Sequence, residues 1–309
     1  MSQSPHFDPR EARVLAPSLP RPSVVLRLIK PVTWFPPVWA YLCGTVSAGA
    51  VPAESWMLVG LGMFLAGPLV CGMSQAANDW CDRHVDAINE PDRPIPSGQI
   101  AGRWGLWIAL SMTLASLVVG WQLGPWGCAA TIVAVLAAWA YSAEPVRLKR
   151  SGIMGPGLVG LSYETLPWFT GAAIVAAGAP SWPIIVIALL YGVGAHGIMT
   201  LNDFKALAGD RVTGVNSLPV MVGPARAARI ACWTMILPQL AVIALLISWG
   251  LSLFAAAISA LLIGQLLAMR VMVRDPEKKA PWYNGTGVLL YILGMMVTAF
   301  ALRLAGAMM

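Results

Sequence analysis

Long apolar stretches separated by short polar segments dominate the chain. Nine of these stretches reach the length of about 20 residues that a helix needs to cross a bilayer. They lie at about 34–51, 57–77, 104–123, 126–143, 155–177, 182–201, 228–249, 252–272 and 286–306. The pattern therefore predicts nine membrane-spanning helices, numbered here as spans 1 to 9.

The remaining polar sequence is too short to form a second domain. Residues 1–33 are polar and contain several prolines, and the other polar segments are turns or loops between spans. Composition agrees with this organisation, because 58% of residues are hydrophobic, only 11% are charged and the mean hydropathy is +0.70. We expect an all-α integral membrane protein with an N-terminal segment over 1–33 and one nine-helix domain over 34–306.

Basic residues lie on one side of the predicted membrane. Every lysine and arginine except Arg303 falls before span 1 or after spans 2, 4, 6 or 8, and the loops after spans 1, 3, 5 and 7 carry none. Since basic loops remain in the cytoplasm, we expect the N-terminus and all long loops on the cytoplasmic side. The net charge of +6 is then a topology signal. The sequence has no basic stripe with interleaved aromatic residues, so this charge does not indicate nucleic-acid binding.

Two acidic motifs open the cytoplasmic loops after spans 2 and 6. Their polar members are Asn78, Asp79, Asp82 and Asp86 in the first motif and Asn202, Asp203 and Asp210 in the second. A close pair of carboxylates repels by roughly 4 kcal/mol at an effective dielectric constant of 20, so a cation must lie among them. Oxygen ligands suit Mg²⁺, which binds a few carboxylates together with phosphate oxygens. The motifs therefore indicate a membrane enzyme that handles a diphosphate.

Helical geometry and spacing sharpen this prediction. Positions 78, 79, 82 and 86 fall within an arc of about 100° on a helix. Positions 203 and 210 also lie along one helical stripe. The two Asn-Asp pairs each follow small and apolar residues, which indicates a weak repeat of two four-helix halves, spans 1–4 and 5–8. Such halves would bring the motifs face to face at the cytoplasmic end of a central cavity. The alternative is a solvated acidic loop surface.

Basic side chains near the motifs are candidates for binding the diphosphate. Arg93 lies in the proline-rich segment 89–98, for which the sequence predicts an ordered non-helical turn. Lys149 lies in the basic loop after span 4, and Lys205 and Arg211 lie within the second motif. An arginine can bind phosphate oxygens with two parallel hydrogen bonds. Membrane topology alone is the alternative explanation for these charges.

The first motif and the segment Arg93-Pro-Ile-Pro-Ser-Gly98 together resemble the signature of the UbiA superfamily of membrane prenyltransferases, and the resemblance extends over about 30–305. Further segments are similar to the chlorophyll synthase branch, and 89–94 and 163–171 are most similar to its bacterial members, the bacteriochlorophyll synthases. The branch segments are 30–37, 86–91, 141–143 with 148–149, 162–168, and 202–205 with 209–211 and 217–219.

This resemblance implies a reaction and a set of site residues. A geranylgeranyl or phytyl group would pass from its diphosphate to the propionate carboxylate of bacteriochlorophyllide a, with Mg²⁺ as cofactor. The expected catalytic residues are Asp79, Asp82, Asp86, Asp203 and Asp210. The expected metal ligands are Asn78, Asp82, Asp86, Asp203 and Asp210. The expected substrate-binding residues are Asn78, Arg93, Tyr141, Lys149, Glu164, Asn202, Lys205 and Arg211.

The resemblance also implies a location. The chain is expected in a bacterial inner membrane, either cytoplasmic or intracytoplasmic and photosynthetic, with the lipid bilayer as its surroundings. An association with other pigment-biosynthesis or light-harvesting assembly proteins is left open. The chain departs from the branch at Ala208, where a glutamate usually precedes the Gly-Asp of the second motif. Either metal affinity at this motif is lower, or Asp203 and Asp210 suffice.

Two polar residues lie inside predicted spans. Glu164 falls in span 5, where a carboxyl group costs several kcal/mol unless it is paired or lines a cavity. We expect it to face the substrate, near the pigment macrocycle or a partner cation, and the alternative is a hydrogen-bonded group between helices. His196 in span 6 is either a ligand of the central magnesium of the pigment or, as we favour, a packing residue.

Two other functions remain open at this point. A related enzyme of the same superfamily, acting on chlorophyllide, a quinone precursor or haem, would share the acidic motifs and differ in its acceptor pocket. A cation-coupled transporter would also carry polar residues in its spans and an internal repeat. It would place its acids near the middle of the bilayer, whereas these acids lie at the ends of spans.

Overall fold

A computed structural model describes residues 19–308, apart from the side chains at positions 208, 213, 307 and 308. The predicted N-terminal segment therefore lies largely outside the described residues, and so does the Ala208 side chain. The described part is helical and contains no β-strand. Its α-helices are α1 Pro22–Leu28, α2 Phe35–Ser47, α3 Trp56–Phe64, α4 Gly72–Asn89, α5 Trp104–Gln122, α6 Gly124–Ser142, α7 Met154–Gly160, α8 Leu166–Val175, α9 Trp182–Asn202, α10 Leu207–Thr213, α11 Leu218–Val222, α12 Pro224–Ser248, α13 Ser252–Met272 and α14 Pro276–Met308.

Two of the helical stretches contain a π-helical segment. Leu65–Cys71 joins α3 to α4, and Leu161–Thr165 joins α7 to α8. Short 3-10 turns at Pro31–Thr33, Ala53–Ser55, Leu148–Arg150 and Asp203–Lys205 complete the helical structure. Because π-helical segments widen a helix locally, they redirect side chains and occur often at functional sites. Both segments here supply side chains to the same internal cavity.

Seven helical stretches in the described part are long and apolar enough to cross a membrane. They are Ala53–Asn89, Trp104–Gln122, Gly124–Ser142, Trp182–Lys205, Pro224–Ser248, Ser252–Met272 and Pro276–Gly306. Each coincides with one of the nine predicted spans. The two remaining predictions, spans 1 and 5, fall on α2 and on the interrupted helix from α7 to α8. Both regions are helical, but neither is among the seven.

Glycines allow sharp reversals and close helix contacts. Gly124, the first residue of α6, and Gly250, in the turn before α13, have φ of 78° and 77°, a conformation that other residues rarely adopt. Within the bundle, Gly44 of α2 packs directly on the backbone carbonyl of Trp168 in α8, where a Cβ atom would overlap it. Small residues bring membrane helices together in this way.

A buried aromatic network joins α2, α8, α9 and α14. The Trp168 indole stacks on the Tyr191 ring at 5.6 Å between centroids and donates a hydrogen bond to the Ser47 hydroxyl at 3.1 Å. The Tyr291 hydroxyl donates to the Tyr191 carbonyl oxygen at 2.7 Å, and the Tyr191 and Thr298 hydroxyls are 2.7 Å apart. These contacts tie α2 and α8 to α9 and α14.

Candidate active site

A cavity of about 680 Å³ lies inside the helical bundle. This volume falls within the range of about 300–1,000 Å³ that is typical of small-molecule sites. Most of its walls are apolar, with a few polar side chains pointing inward. The larger polar ones are Gln75, Asn78, Tyr141, Tyr163, Glu164, Asn202, Lys205 and Asn284.

The first acidic motif lies on one continuous helix, α4, as the sequence predicted. Asn78 lines the cavity and donates a hydrogen bond to the Ser142 hydroxyl at 3.3 Å. Asp79 is fully buried and lies behind the cavity wall, where its Oδ1 atom accepts from Lys30 Nζ at 2.7 Å. The Oδ2 atom of Asp79 has no hydrogen-bond partner. Asp79 therefore holds Lys30 in place and retains one free oxygen.

Asp82 and Asp86 of the same motif are bound by basic residues from the following loops. Arg147 donates to Asp82 Oδ1 at 2.8 Å, and Lys149 donates to Asp82 Oδ2. Arg93 donates to Asp86 Oδ2 at 2.8 Å and also lies 3.5 Å from Asp79. Burial lowers the pKa of Lys149, and the Asp82 carboxylate opposes that shift. With Lys30 at Asp79, the helix thus presents its acids to four different cations.

Two of the cations that hold these acids have unusual backbone conformations. Lys30 has a φ of 45° and Arg147 a φ of 37°, both in the left-handed region that costs energy for residues other than glycine. The ion pairs of Lys30 with Asp79 and of Arg147 with Asp82 offset that cost. Strained backbone at two positions around one motif is typical of a functional site.

The second motif differs from the predicted single helical stripe. The helix α9 ends at Asn202, a 3-10 turn follows, and α10 begins only at Leu207. Asp203 and Asp210 therefore lie on separate short elements. The expectation of one continuous helix is wrong, because the end of α9 tightens into a 3-10 turn, as helix ends commonly do. The Asp210 charge nevertheless acts on Asp203, so the carboxylates remain neighbours.

The two motifs approach each other across the cavity. Asn78 and Asn202 both line it, and Tyr141 lies close enough to Asp82, Asp203 and Asp210 for all three charges to act on its hydroxyl. Burial raises the pKa of Asp210. The five aspartates do not themselves line the cavity, although Asp79 and Asp203 directly follow the two asparagines that do.

Backbone hydrogen bonds fix the basic loop after α6 beside the second motif. Gly152 N donates to the Asn216 carbonyl oxygen at 2.8 Å, and Asn216 N donates to the Arg150 carbonyl oxygen at 3.2 Å. A Cβ atom on Gly152 would overlap Leu218 N, so no larger residue fits there without movement. This connection holds Arg147 and Lys149 between the two motifs.

Two predicted cations of the second motif lie in different surroundings. Lys205 lines the cavity and forms no ion pair with any described residue. Arg211 is exposed and does not reach the cavity. Arg93, which the sequence suggested for diphosphate binding, is already held by Asp86 and by both carboxylate oxygens of Glu90. Lys205 is thus the cation most open to an incoming ligand.

Several site residues were missed from the sequence. Asn284, on α14, lines the cavity and donates to Asn202 Oδ1 at 2.7 Å, while its own Oδ1 has no partner. Tyr163 links the two π-helical segments, since its hydroxyl accepts from Gln75 Nε2 at 3.2 Å and lies 3.3 Å from Cys71 Sγ. In the sequence, the sign that could have pointed to Asn284 is its amide side chain close to the start of span 9.

The two polar residues inside spans 5 and 6 have different environments. Glu164 is 5% exposed, lines the cavity and has no hydrogen-bond partner at Oε2. His196 does not line the cavity, and its Nε2 atom lies 3.1 Å from the Ile153 carbonyl oxygen. His196 is therefore a hydrogen-bonded packing residue, the role favoured from the sequence.

The donor chemistry around the motifs suits a magnesium ion. Amide and carboxylate oxygens surround one end of the cavity, and Asp79 Oδ2 is buried without a partner. Among residues 19–308, however, no three His, Cys, Asp or Glu side chains form a ready metal cluster. Both oxygens of Asp82 accept from basic residues. A metal at the first motif must share these carboxylates with the cations or displace them.

Comparison with known proteins identifies the family. The profile of the UbiA prenyltransferase family matches residues 34–293. The chain belongs to this family. The resemblance drawn from the motifs is thereby confirmed, and the all-helical UbiA-type fold with it. Membership of a prenyltransferase family also sets the transporter alternative aside.

Two bacterial proteins and one solved structure are similar to the chain over most of its length. The UbiA-family chain is 70% identical over 286 residues to the bacteriochlorophyll synthase 33 kDa chain of Cereibacter sphaeroides, which covers 93% of this chain and 95% of the relative. The corresponding Rhodobacter capsulatus protein is 63% identical over 289 residues, with the same two coverages. A solved UbiA homolog from Archaeoglobus fulgidus bound to GPP and Mg²⁺ has a TM-score of 0.63 at 19% identity and covers 92% of this chain and 98% of that one. At that identity the likeness concerns the fold.

Proposed function

We propose that this chain transfers a geranylgeranyl or phytyl group from its diphosphate to the propionate carboxylate of bacteriochlorophyllide a. The observation that carries the proposal is the 70% identity, over almost the full length of both chains, to a bacteriochlorophyll synthase chain. The cavity agrees chemically, since it combines a mostly apolar interior with amides and a cation at the end where the acidic motifs meet.

In this reaction, the bond between the allylic carbon of the donor and its diphosphate oxygen breaks. A carboxylate oxygen of the acceptor forms the new ester bond to that carbon, and diphosphate leaves with both electrons of the broken bond. The propionate is already anionic at neutral pH, so no strong general base is required. The apolar walls keep water away from the allylic cation that develops.

The polar residues have four proposed roles. Lys205, together with Lys149 and Arg147, would neutralise negative charge as the diphosphate leaves. Asn78, Asn202 and Tyr141 would orient the diphosphate by hydrogen bonding. Asp79 and Arg93 act by holding the cations and α4 in register, and Arg211 would attract the anionic substrate from the surface.

A magnesium ion is the cofactor that this donor set suits. The residues that would hold it are Asn78, Asp82, Asp86, Asp203 and Asp210. When bound, it would neutralise charge on the diphosphate leaving group. The magnesium in the Archaeoglobus fulgidus homolog supports this assignment.

We further propose that α2 and the helix from α7 to α8 also cross the membrane, which makes nine spans. Nine spans with a cytoplasmic N-terminus put every basic loop and both acidic motifs on the cytoplasmic side of a bacterial inner membrane. With only the seven long helices, the two acidic motifs would fall on opposite sides of the membrane.

An acceptor panel tests the proposed function. Membranes that contain the chain are incubated with geranylgeranyl diphosphate and either bacteriochlorophyllide a, chlorophyllide a, a quinone precursor or haem, and the products are separated chromatographically. We expect an ester of bacteriochlorophyllide a as the dominant product. Prenylation of the quinone precursor or haem, with no chlorin ester, would assign the chain to a different reaction of the family.

A further inference from the structure

The Glu164 carboxyl group is a buried polar feature of the cavity that the proposed reaction does not use. It is 5% exposed, and its Oε2 atom has no hydrogen-bond partner. It lies on the π-helical segment that connects α7 to α8, in a stretch whose neighbouring residues Ser162 and Tyr163 also line the cavity. An unpaired buried polar group costs free energy, so a ligand group is the natural partner for it.

Glu164 lies far from the diphosphate end. The adjacent Thr165 hydroxyl donates to the Ala188 carbonyl oxygen at 3.0 Å and also contacts the Gly192 position. Asn202, where the second motif begins, is 10 to 14 residues farther along α9 than these two contacts. At 1.5 Å per residue that separation is about 15–20 Å. Glu164 therefore lies well away from Asn202, the end of the cavity at which the proposed diphosphate site lies.

No cation neutralises Glu164. Among residues 19–308, no lysine, arginine or histidine forms an ion pair with Glu164, and its Oε2 atom has no hydrogen-bond partner. A carboxylate buried at this depth without a cation is far less stable than the neutral acid. The neutral acid has one O–H donor, which seeks an acceptor.

The chemistry of the two substrates indicates which hydrogen-bond acceptor Glu164 would meet. The diphosphate and the propionate must meet at the reacting carbon, and the prenyl chain beyond that carbon is hydrocarbon. The remaining strong hydrogen-bond acceptors are the carbonyl oxygens on the macrocycle. We propose that the neutral Glu164 side chain donates a hydrogen bond to a ring carbonyl of bacteriochlorophyllide a and thereby selects this pigment as the prenyl acceptor. This inference rests on the proposed function.

Glu164→Met tests the proposal, because methionine matches the length of the side chain and cannot donate a hydrogen bond. We expect the KM for bacteriochlorophyllide a to rise at least about tenfold, while the KM for geranylgeranyl diphosphate stays within about twofold. Glu164→Gln, which still donates through its amide, should stay within about threefold of wild type for both substrates. Thr165→Val serves as a control for altered helix packing and should change neither KM selectively.

A spectroscopic measurement gives a readout that does not depend on turnover. Resonance Raman spectra of bacteriochlorophyllide a bound to the full chain, without donor, report whether its carbonyl groups accept hydrogen bonds. We expect one carbonyl stretch at lowered frequency in wild type and at the free frequency in Glu164→Met. Free carbonyl stretches in wild type would overturn the proposal, whether or not the variant folds.

The outcomes also separate this proposal from the proposed function. If wild-type membranes form the chlorin ester and Glu164→Met leaves the KM for the chlorin unchanged, only the role of Glu164 is wrong. An equal loss for donor and acceptor would likewise overturn it, since that pattern indicates a structural role. If wild type forms no chlorin ester with any donor, the proposed function itself fails, and this inference fails with it.

Discussion

At the residue scale, the acids of the first motif and the cations of neighbouring loops determine the electrostatics of the site. The Asp82 carboxylate accepts hydrogen bonds from both Arg147 and Lys149, whose side chains are mostly buried. Removing the Asp82 charge leaves Lys149 without its carboxylate partner and Arg147 with only the exposed Glu144, and it also removes a proposed metal ligand. The same carboxylate therefore supports both the local structure and the proposed chemistry.

Asp82→Asn should lower kcat/KM by at least about 100-fold, because charge stabilisation at the leaving group is typically worth that much or more. Activity on bacteriochlorophyllide a in membranes measures the effect, and the yield of monodisperse protein in detergent checks folding. Glu144→Gln is the matched control, since it removes the exposed acidic partner of the same Arg147. The control should retain activity within about twofold. A fully active Asp82→Asn variant would contradict the assigned role.

Asn284 connects α14 to the second motif through its hydrogen bond to Asn202. Asn284→Leu should lower kcat/KM about tenfold, because it leaves the Asn202 amide oxygen without its donor inside the cavity. Steady-state kinetics with varied diphosphate would show the loss mainly in the KM for the donor. Thr286→Val, two residues along and hydrogen-bonded only within its own helix, should have no effect. Equal behaviour of the two variants would argue against a positioning role for Asn284.

At the scale of elements, loop connections align the two halves of the site. The hydrogen bonds between residues 150–152 and Asn216 fix the basic loop after α6 against the loop after α10. This contact joins segments from opposite sides of the acidic site, so it controls the separation of Lys149 from the second motif. Small displacements of such groups have large effects on rate.

Gly152→Ala should separate these two loops, since its Cβ atom would overlap the backbone at Leu218. We expect about a tenfold loss of activity and faster proteolytic cleavage in the loops, with the helices still inserted in the membrane. Gly285→Ala, a glycine on α14 with open space around it, provides the comparison. Loss of activity without any change in loop cleavage would place the effect elsewhere.

Local patterns predicted the helices well and the contacts between them poorly. The continuous helix under Asn78, Asp82 and Asp86 followed from spacing alone, and so did the non-helical turn that begins at Glu90. The break after Asn202 did not, because tightening at a helix end carries no residue signature in this chain. Neither did the pairing of Lys30 with Asp79, which depends on a contact 49 residues away in sequence. Such partners require the tertiary structure.

At the scale of the whole molecule, the number and direction of the spans determine which side of the membrane holds the site. A topology reporter inserted between Gly49 and Pro52 tests this directly, since that segment separates α2 from the helix that carries the first motif. Nine spans predict a periplasmic reporter there and a cytoplasmic one at 98–102. The opposite pair of results would contradict nine spans with a cytoplasmic N-terminus and would put the first motif on the periplasmic side.

The central claim is that the allylic carbon–oxygen bond of the donor breaks and the acceptor carboxylate takes the prenyl group. Geranylgeranyl diphosphate labelled with ¹⁸O at the bridging oxygen, incubated with bacteriochlorophyllide a and membranes containing the chain, tests this most directly. The account predicts an unlabelled ester and labelled diphosphate, formed with Mg²⁺ and absent with EDTA. An ester that retains the ¹⁸O, or no ester under any condition, would contradict it.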